Sequence, residues 1–306
     1  MIEPAAKLIR AGELVAFPTE TVYGIGANAL DAAAVDRIYE AKGRPATSPL
    51  IVHVSSIDMA RELVREWPDR AQLLAERFWP GPLTLVLPKS EKVPERVTAG
   101  LPTVGIRMPD HPVALALIRA AQVPIAAPSA NRFTQLSPTT AEHVRDALGD
   151  SAAMVLDGGP TRVGIESTVL SLAAGEAVLL RPGMISQAQI EEVIGPIRVS
   201  TATPDESHPS PGMHHRHYSP RTPLVIVDSG DLPRGRVGYL WINRPASADC
   251  SCQMPPDPVG YAARLYQVLH ELDGRGLDWI AVERPPSGMM WTGILDRLER
   301  ASHSDT

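Results

Sequence analysis

The chain of 306 residues is 44% hydrophobic and 21% charged, which is typical of a globular protein with one large or two moderate domains. Its net charge of −6 argues against a nucleic-acid backbone as the main partner, so we expect no strong direct nucleic-acid binding. No apolar run approaches the roughly 20 residues that span a bilayer and the N-terminus lacks a secretory pattern, so we expect no membrane partner.

The first predicted elements are a helix over residues 4–11 and a short buried strand over residues 14–17. Pro18 is expected to end this strand because proline has no N–H to give to a central ladder. A turn crowded with threonine follows, and after it Gly24 and Gly26 let the backbone approach a second backbone or a ligand closely. This stretch therefore predicts a polar turn that lies close to another backbone segment or to a ligand.

Two cations lie at the end of the next predicted helix. Asp31 can cap this helix, which ends in Lys42, Gly43 and Arg44. Facing the threonine-rich turn, Lys42 and Arg44 would suit an oligophosphate. The simpler interpretation, which these two residues alone favour, is that they only complement the negative end of the helix.

Helices and strands continue to alternate as far as Gly195, which indicates an α/β protein. Strands are predicted over residues 50–54, 83–87, 104–108, 125–127, 155–156, 168–172 and 177–180. Ser56 and Asp69 are predicted to cap two helices, and further helices are predicted to begin at Pro112 and Ser137. A capping-box pattern indicates one more after Ser186.

A change in composition separates two domains. From residue 200 to residue 223 the chain is poor in aliphatic side chains and rich in Ser, Thr, Pro and His, as in a linker. A second alternation follows, with strands over residues 224–227, 237–242 and 279–282 and helices over residues 261–272 and 294–301. We therefore predict a first domain over residues 1–198, a linker over 199–223 and a compact accessory α/β domain over 224–306.

Several polar residues lie in or directly after predicted strands. His53, on an apolar strand, is most simply a satisfied core histidine. Arg107 would point inward from its strand and needs an anionic partner, which could be a ligand or an internal carboxylate. Ser129 and Asn131 follow a strand end, where binding loops of α/β proteins lie, although a capped turn would also explain them. Arg181 lies in a similar place after a later strand.

Signatures of other chemistries are weak or absent. His214, His215 and His217 could bind a metal, but no regular element supports that interpretation. Cys250 and Cys252 leave no disulfide framework, which fits a reducing cytoplasm. The sequence contains no Walker lysine loop, no dinucleotide glycine fingerprint and no Gly-x-Ser-x-Gly nucleophile motif. Standard nucleotide-binding and hydrolase signatures are therefore missing.

Six motifs occur together in the order found in one family: FPTETVYG, KGRP, PLIVHV, TVGIRMPDHP, APSAN with SPT, and IESTV with LRPG. By these motifs the chain resembles the YrdC-like threonylcarbamoyl-AMP synthases. SPGMHHRHYSP resembles the linker of the longer, two-domain members, and the C-terminal part resembles their accessory domain. The resemblance covers essentially the whole chain. It implies a twisted mixed α/β sheet around a concave basic cavity, followed by a small Rossmann-like domain.

The resemblance implies an enzyme that makes threonylcarbamoyl-AMP and pyrophosphate from L-threonine, bicarbonate and ATP, with Mg2+ bridging the phosphates. The threonine amine adds to bicarbonate, and the resulting carbamate attacks the α-phosphate of ATP. This chemistry needs aligned reactants and relief of anionic repulsion rather than an enzyme nucleophile. The product would pass to the threonylcarbamoyl-transfer machinery that modifies tRNA.

The resemblance also implies roles for individual residues. The threonine pocket would be formed by Thr21, His53, Arg107, Ala127 and Ser167. The ATP contacts would be made by Arg44, Ser48, Thr103, Ser129, Ser137, Arg181 and Tyr218. Lys42 and Arg44 would be catalytic, with Lys42 serving bicarbonate or phosphate, and no residue is assigned to a metal. Ser48 stands where the family commonly has asparagine, and Thr134 replaces a common glycine.

The linker is expected to act as a lid, with Tyr218 over the ATP site, because closure would protect a reactive adenylate from water. A linker packed permanently between the domains is the alternative. Two other functions remain open for the chain as a whole. One is a carbamoyltransferase that adenylates carbamoyl phosphate, and the other is a non-catalytic RNA-binding module, against which the acidic balance counts.

Overall fold

The computed structural model describes residues 1–200, 218–228 and 231–302. Most of the predicted linker lies outside these ranges, and so do the cluster of His214, His215 and His217 and most of the expected lid. Among the described helices, none is both long and apolar enough to cross a bilayer.

The first described range forms one large mixed sheet covered by helices. Its strands are β1 (Val15–Pro18), β2 (Tyr23–Asn28), β3 (Ile51–His53), β4 (Leu83–Pro88), β5 (Thr103–Arg107), β6 (Ile125–Ala126), β7 (Met154–Val155), β8 (Thr168–Ala174), β9 (Glu176–Arg181) and β10 (Arg198–Val199). Its α-helices are α1 (Ile2–Arg10), α2 (Ala32–Lys42), α3 (Ile57–Arg61), α4 (Asp69–Phe78), α5 (Glu95–Thr98), α6 (Pro112–Ala121), α7 (Ala141–Leu148) and α8 (Gln187–Ile194). Across the sheet the strand order is β10-β9-β8-β4-β5-β3-β6-β2-β1-β7, with parallel and antiparallel neighbours. This confirms the predicted mixed α/β sheet.

Helices pack on both faces of this sheet, as the alternation of side chains along β1 shows. Val15 and Phe17 pack with Ile9 of α1 in one core, whereas Ala16 packs with Ile38 of α2 in another. Successive side chains of a strand point to opposite faces, so the two cores lie on opposite sides of the sheet. Each fully buried aliphatic side chain contributes about 1.5–3 kcal/mol to this packing.

The centre of the sheet brings together residues that the sequence had singled out. β3 and β5 are parallel, with His53 opposite Arg107. β6 is antiparallel to β3, and Ala127 follows it directly, donating its N–H to Ile51 O at 2.9 Å. Three motifs that are separate in sequence are therefore neighbours here.

The predicted start of α7 was wrong. The helix expected from Ser137 begins at Ala141, because Pro138 O accepts a hydrogen bond from Tyr23 N and holds the preceding segment against β2. Thr140 caps it instead, with Oγ1 accepting from His143 N at 3.2 Å. Asp69, the expected cap of α4, is instead its first residue, and no side chain caps this helix. The short elements α5 and β10 were not predicted, since they are too short for a periodic pattern.

The C-terminal part forms a second, smaller sheet. Its strands are β11 (Leu224–Val227), β12 (Val237–Trp241), β13 (Cys250–Gln253) and β14 (Trp279–Glu283), and its helices are α9 (Pro258–Asp273) and α10 (Thr292–Ser302). The strand order is β11-β14-β12-β13, and every neighbouring pair is parallel. This agrees with the predicted small Rossmann-like domain, to which β13 is an unpredicted addition.

The two parts share a hydrophobic core. Val22, Leu136 and Ile165 of the first part pack in one cluster with Leu265 and other residues of α9. At Gly164 a Cβ atom would lie 2.2 Å from the carbonyl oxygen of Ala262, so only glycine allows this approach of the two backbones. The C-terminal part is therefore packed directly onto the first.

Acidification should weaken this contact. His143 of α7 stacks on His270 of α9 with ring centroids 3.9 Å apart, and burial lowers the pKa of His270 to about 4 and also lowers that of His143. An unfolded chain binds these protons near pH 6.5, so it holds more protons than the folded chain between about pH 4 and 6.5, and stability falls as the pH falls through that range. Thermal denaturation should show Tm decreasing on acidification, and His270→Gln should reduce the decrease. An unchanged pH profile of Tm in this variant would contradict the assignment.

The close packing around Gly26 of β2 predicts that a larger residue there destabilises the protein. A Cβ atom at Gly26 would lie 2.6 Å from Phe17 Cε1 and 2.7 Å from Ile125 Cγ2. Gly26→Ala should therefore destabilise the protein by about 1–3 kcal/mol in urea unfolding. Gly105→Ala in β5 is the matched control, because its Cβ would meet Thr84 Cγ2 at an ordinary 3.4 Å. Equal losses in the two variants would refute the packing explanation.

Candidate functional site

One cavity lies beside the centre of the large sheet. It encloses about 540 Å³ including its opening to solvent, a size suited to a small-molecule ligand. Nine of the predicted site residues line it: Thr21, Arg44, His53, Arg107, Ala127, Ser129, Ser167, Arg181 and Tyr218. The structure thus brings together most of the residues that the motifs implied.

A buried ion pair stands at the cavity wall. Arg107 Nη2 lies 2.7 Å from Glu20 Oε2, with the side chains 5% and 1% exposed. Glu20 Oε2 also accepts a hydrogen bond from Asp110 N at 3.0 Å. The anionic partner expected for Arg107 is therefore an internal carboxylate, and the guanidinium group it holds still lines the cavity.

His53 is a neutral side chain beside this pair. Burial, together with repulsion from Arg107, lowers the pKa of His53 to about 3, so the ring is uncharged near neutral pH. Its Nδ1 has no hydrogen-bond partner among the residues described. The core location expected from the sequence is correct, but the ring is not fully satisfied there. An uncharged ring with one unpaired nitrogen can hydrogen-bond a polar ligand.

Three threonine and serine hydroxyl groups at the cavity are held in place by hydrogen bonds. Thr19 Oγ1 and Thr21 Oγ1 lie 2.8 Å apart, and Thr19 Oγ1 also donates to Val22 O at 2.7 Å. Ser167 Oγ lies 2.8 Å from Thr84 Oγ1. These bonds hold the threonine-rich turn and the start of β8 in fixed positions at the cavity.

Two further guanidinium groups reach the cavity from other segments. Arg44, directly after α2, is 7% exposed and donates from Nη2 to Pro49 O at 3.3 Å. Burial lowers the pKa of Arg44 to about 10, which leaves it charged at neutral pH. Arg181, at the end of β9, donates to Ser167 O at 3.1 Å and to Ser167 Oγ at 3.2 Å. Buried cations of this kind favour an anionic ligand.

Lys42 lies beside the cavity rather than in its lining. Its Nζ donates to Ser129 O at 2.5 Å and to Asn131 O, which ties α2 to the loop after β6. Burial, with repulsion from Arg44, lowers the pKa of Lys42 well below its usual value. Lys42 thus positions the loop that carries Ser129, and its contact with bicarbonate or phosphate stays a prediction.

Three more predicted residues do not line the cavity. Ser48 is buried, and Thr103 begins β5. Ser137 Oγ donates to Glu166 Oε1 at 2.5 Å, so Ser137 reaches the cavity through that carboxylate. The ATP contacts assigned to these three residues stay predictions.

Tyr218 lies within the predicted linker, and it is 1% exposed. Its φ of 63° is unusual for a bulky side chain, so its surroundings hold it in place. Its OH accepts a hydrogen bond from Arg181 Nη1 at 3.3 Å. Tyr218 therefore lies at the cavity beside a predicted ATP residue.

Three site residues were not predicted: Glu20, Glu166 and Arg297. Glu20 and Glu166 lie within motifs already recognised, next to Thr21 and Ser167, and this adjacency was a usable signal. Arg297 Nε donates to Glu166 Oε2 at 2.7 Å across 131 residues of sequence. No local pattern around Arg297 indicates such a partner.

The described residues do not fit a metal ion held by the protein. Within residues 1–200, 218–228 and 231–302, no three His, Cys, Asp or Glu side chains converge as metal ligands would. The carboxylates at the cavity, Glu20 and Glu166, are each paired with an arginine.

Comparison with known proteins finds similarity over nearly the whole chain, including the residues that line the cavity. A family model described as telomere recombination (Sua5, YciO and YrdC) matches residues 7–183, and one described as the C-terminal domain of threonylcarbamoyl-AMP synthase matches residues 185–303. The threonylcarbamoyl-AMP synthase of Bacillus subtilis is 48% identical over 98% of this chain and 92% of its own length.

Solved structures show the same similarity. The crystal structure of Pyrococcus abyssi Sua5 complexed with L-threonine has a TM-score of 0.93 and is 43% identical, with 98% of this chain and 94% of that chain covered. Full-length HypF in its phosphate- and nucleotide-bound form has a TM-score of 0.52 and 25% identity, over 59% of this chain and 28% of its own. The match to Sua5 includes both sheets, and the family models account for nearly the whole sequence. The chain therefore belongs to the threonylcarbamoyl-AMP synthase family.

Proposed function

We propose that this protein forms threonylcarbamoyl-AMP and pyrophosphate from L-threonine, bicarbonate and ATP. The observation that carries the proposal is one cavity with two separate cationic regions. Arg107 lies beside neutral His53 in one region, and Arg44 and Arg181 lie near Tyr218 in the other. A reaction that joins an amino acid to a nucleotide needs an anion-binding region for each.

In this proposal the first region binds L-threonine. Arg107 pairs with the substrate carboxylate, while Glu20 keeps the guanidinium group oriented. His53 and Thr21 offer uncharged hydrogen bonds to the amino acid. The relative Sua5 was crystallised with L-threonine, which supports this assignment.

The second region binds ATP. Arg44 and Arg181 neutralise the phosphates, and Tyr218 packs beside Arg181. Ser129, held by Lys42, lies at the same cavity. HypF, a more distant relative, was solved with phosphate and nucleotide bound. The Mg2+ that we propose to accompany ATP would supply charge neutralisation and would be held by the phosphates.

The chemistry follows from this arrangement. The amine of threonine attacks the carbon of bicarbonate and water leaves, which gives a carbamate. A carbamate oxygen then attacks the α-phosphate, and the bond from that phosphorus to the pyrophosphate oxygen breaks. The protein contributes orientation, through the fixed hydroxyl and guanidinium groups, and stabilises negative charge in a buried setting.

We also propose that the product passes in the cytoplasm to a threonylcarbamoyl-transfer machinery acting on tRNA. Cys250 and Cys252 are free thiols, which supports a reducing compartment. The net charge of −6 supports transfer of the product to another protein rather than to tRNA bound on this chain.

Substrate omission tests the proposed reaction. Purified protein supplied with L-threonine, bicarbonate, ATP and Mg2+ should release pyrophosphate, and omitting any one substrate should abolish the release because the adenylate cannot form. A coupled pyrophosphate assay with mass spectrometry of the adenylate measures this. Equal release without threonine would exclude the proposal, and turnover with carbamoyl phosphate in place of threonine and bicarbonate would favour a carbamoyltransferase.

Variants of the Arg107–Glu20 pair separate its structural role from substrate binding. Arg107→Ala leaves a buried carboxylate without its cation, so it should destabilise the protein by about 3–5 kcal/mol. Loss of the charge-assisted contact should also weaken threonine binding roughly 10- to 150-fold. Unfolding and calorimetric titration with threonine measure the two effects.

The double variant Arg107→Ala with Glu20→Gln is the control. It removes both charges and should recover much of the stability without recovering threonine affinity. Normal threonine binding by the double variant would show that Arg107 has only a structural role.

A further inference from the structure

A cation from the C-terminal sheet domain is buried against the wall of the cavity. Arg297 of α10 has a side chain that is 0% exposed. Its Nε donates to Glu166 Oε2 at 2.7 Å, its Nη2 to Glu166 O at 3.3 Å and its Nη1 to Pro182 O at 3.0 Å. Burying a guanidinium group is costly unless its N–H groups are paired. Here they are paired with the cavity side of the first part, and Nη1 also donates to Asp296 Oδ2 of α10 at 2.5 Å.

Glu166 is an anion at the cavity, and its oxygens are already engaged. Oε1 accepts from Ser137 Oγ at 2.5 Å, and Oε2 accepts from Tyr266 OH at 3.2 Å as well as from Arg297. Burial alone would raise the pKa of Glu166, but the charges of Arg297 and Arg181 hold it below its usual value. Ser137 belongs to the first part, whereas Tyr266 and Arg297 belong to the C-terminal part.

The same guanidinium group also contacts the aromatic side chain at the end of the linker. Arg297 Cζ lies 5.2 Å from the centre of the Tyr218 ring. The OH of Tyr218 accepts from Arg181 Nη1, and Arg181 Nη2 donates to Ser167 Oγ. Because Ser167 follows Glu166 in sequence, these five residues form a closed ring of contacts.

Arg297 is the member of this ring that does not itself line the cavity. Without its charge, the Glu166 carboxylate would have only Arg181 as a nearby cation, and the proposed function needs Arg181 for the phosphate groups. Two like charges in a setting of low dielectric repel strongly. The ring of Tyr218 would also lose the planar group on its face.

We propose that Arg297 is a positioning residue of the nucleotide region, through which the C-terminal domain takes part in ATP binding. It neutralises Glu166 and holds Tyr218 against Arg181. The identity of the nucleotide rests on the proposed function, whereas the ring of contacts does not.

Calorimetric titration with a non-hydrolysable ATP analogue tests the inference without requiring turnover. Arg297→Gln should weaken analogue binding by about tenfold or more, because the charge-assisted contact between Arg297 and Glu166 is lost and the carboxylate then repels the phosphates. Affinity for threonine should change by less than affinity for the analogue, because Arg107 and His53 are not members of the ring and Ser167 keeps its hydrogen bond from Arg181. Arg297→Lys keeps the charge but not the planar group, so it should bind the analogue with intermediate affinity. In turnover assays the same order should appear in KM for ATP.

Glu283→Gln is the matched control. Glu283 is also a buried charge of the C-terminal domain, but its Oε2 accepts from the backbone N–H groups of Ile242, Asn243 and Arg244 at 2.6, 3.0 and 3.1 Å and does not line the cavity. It should lower Tm with little change in analogue binding.

Equal weakening of analogue binding by Glu283→Gln and Arg297→Gln would overturn the inference. It would show that Arg297 affects binding only through the stability of the C-terminal domain. If Arg297→Gln does not fold, Arg297→Lys decides: analogue binding equal to the wild type would overturn it. A wild-type protein that binds the analogue but releases no pyrophosphate would contradict the proposed function and leave this inference standing.

Discussion

The burial of positive charge is the constraint on which this structure depends. Five cations that are 7% exposed or less lie in or beside one cavity: Lys42, Arg44, Arg107, Arg181 and Arg297. Each needs compensation, because a desolvated charge without a partner is costly. Glu20 pairs with Arg107 and Glu166 pairs with Arg297, while carbonyl groups accept hydrogen bonds from Lys42. Arg44 Nε has no hydrogen-bond partner in the described part of the chain, which suits a site built to receive an anion.

The compensation for these charges comes from distant parts of the sequence. Glu20 follows β1 and pairs with the end of β5, while Glu166 precedes β8 and pairs with α10. The sheet brings the first pair together, and docking of the C-terminal part brings the second. The proposed threonine region therefore lies within the first part, whereas the proposed nucleotide region takes one of its ion pairs from the second part.

What the sequence could predict follows from the range of the interactions involved. The bounds of α6 and β11 agree with the prediction because capping, proline and aliphatic patterns act locally. Most cavity residues were found because their motifs occur together in one family. The start of α7 was misplaced because a hydrogen bond from Tyr23, more than a hundred residues earlier in the sequence, holds the preceding segment. Arg297 was missed for the same reason, since its partner is 131 residues away.

Because Val22, Leu136 and Ile165 pack into the same core as α9, neither part can bury all of its apolar surface alone. The two parts are therefore expected to fold as one cooperative unit, even though a long segment joins them. This dependence of each part on the other matters during synthesis, because the N-terminal part leaves the ribosome first. The large sheet can form early, but the apolar side chains of Val22, Leu136 and Ile165 are covered only when α9 is present, and Glu166 is paired only when α10 is present. The cavity therefore acquires its final arrangement of charge only late in translation.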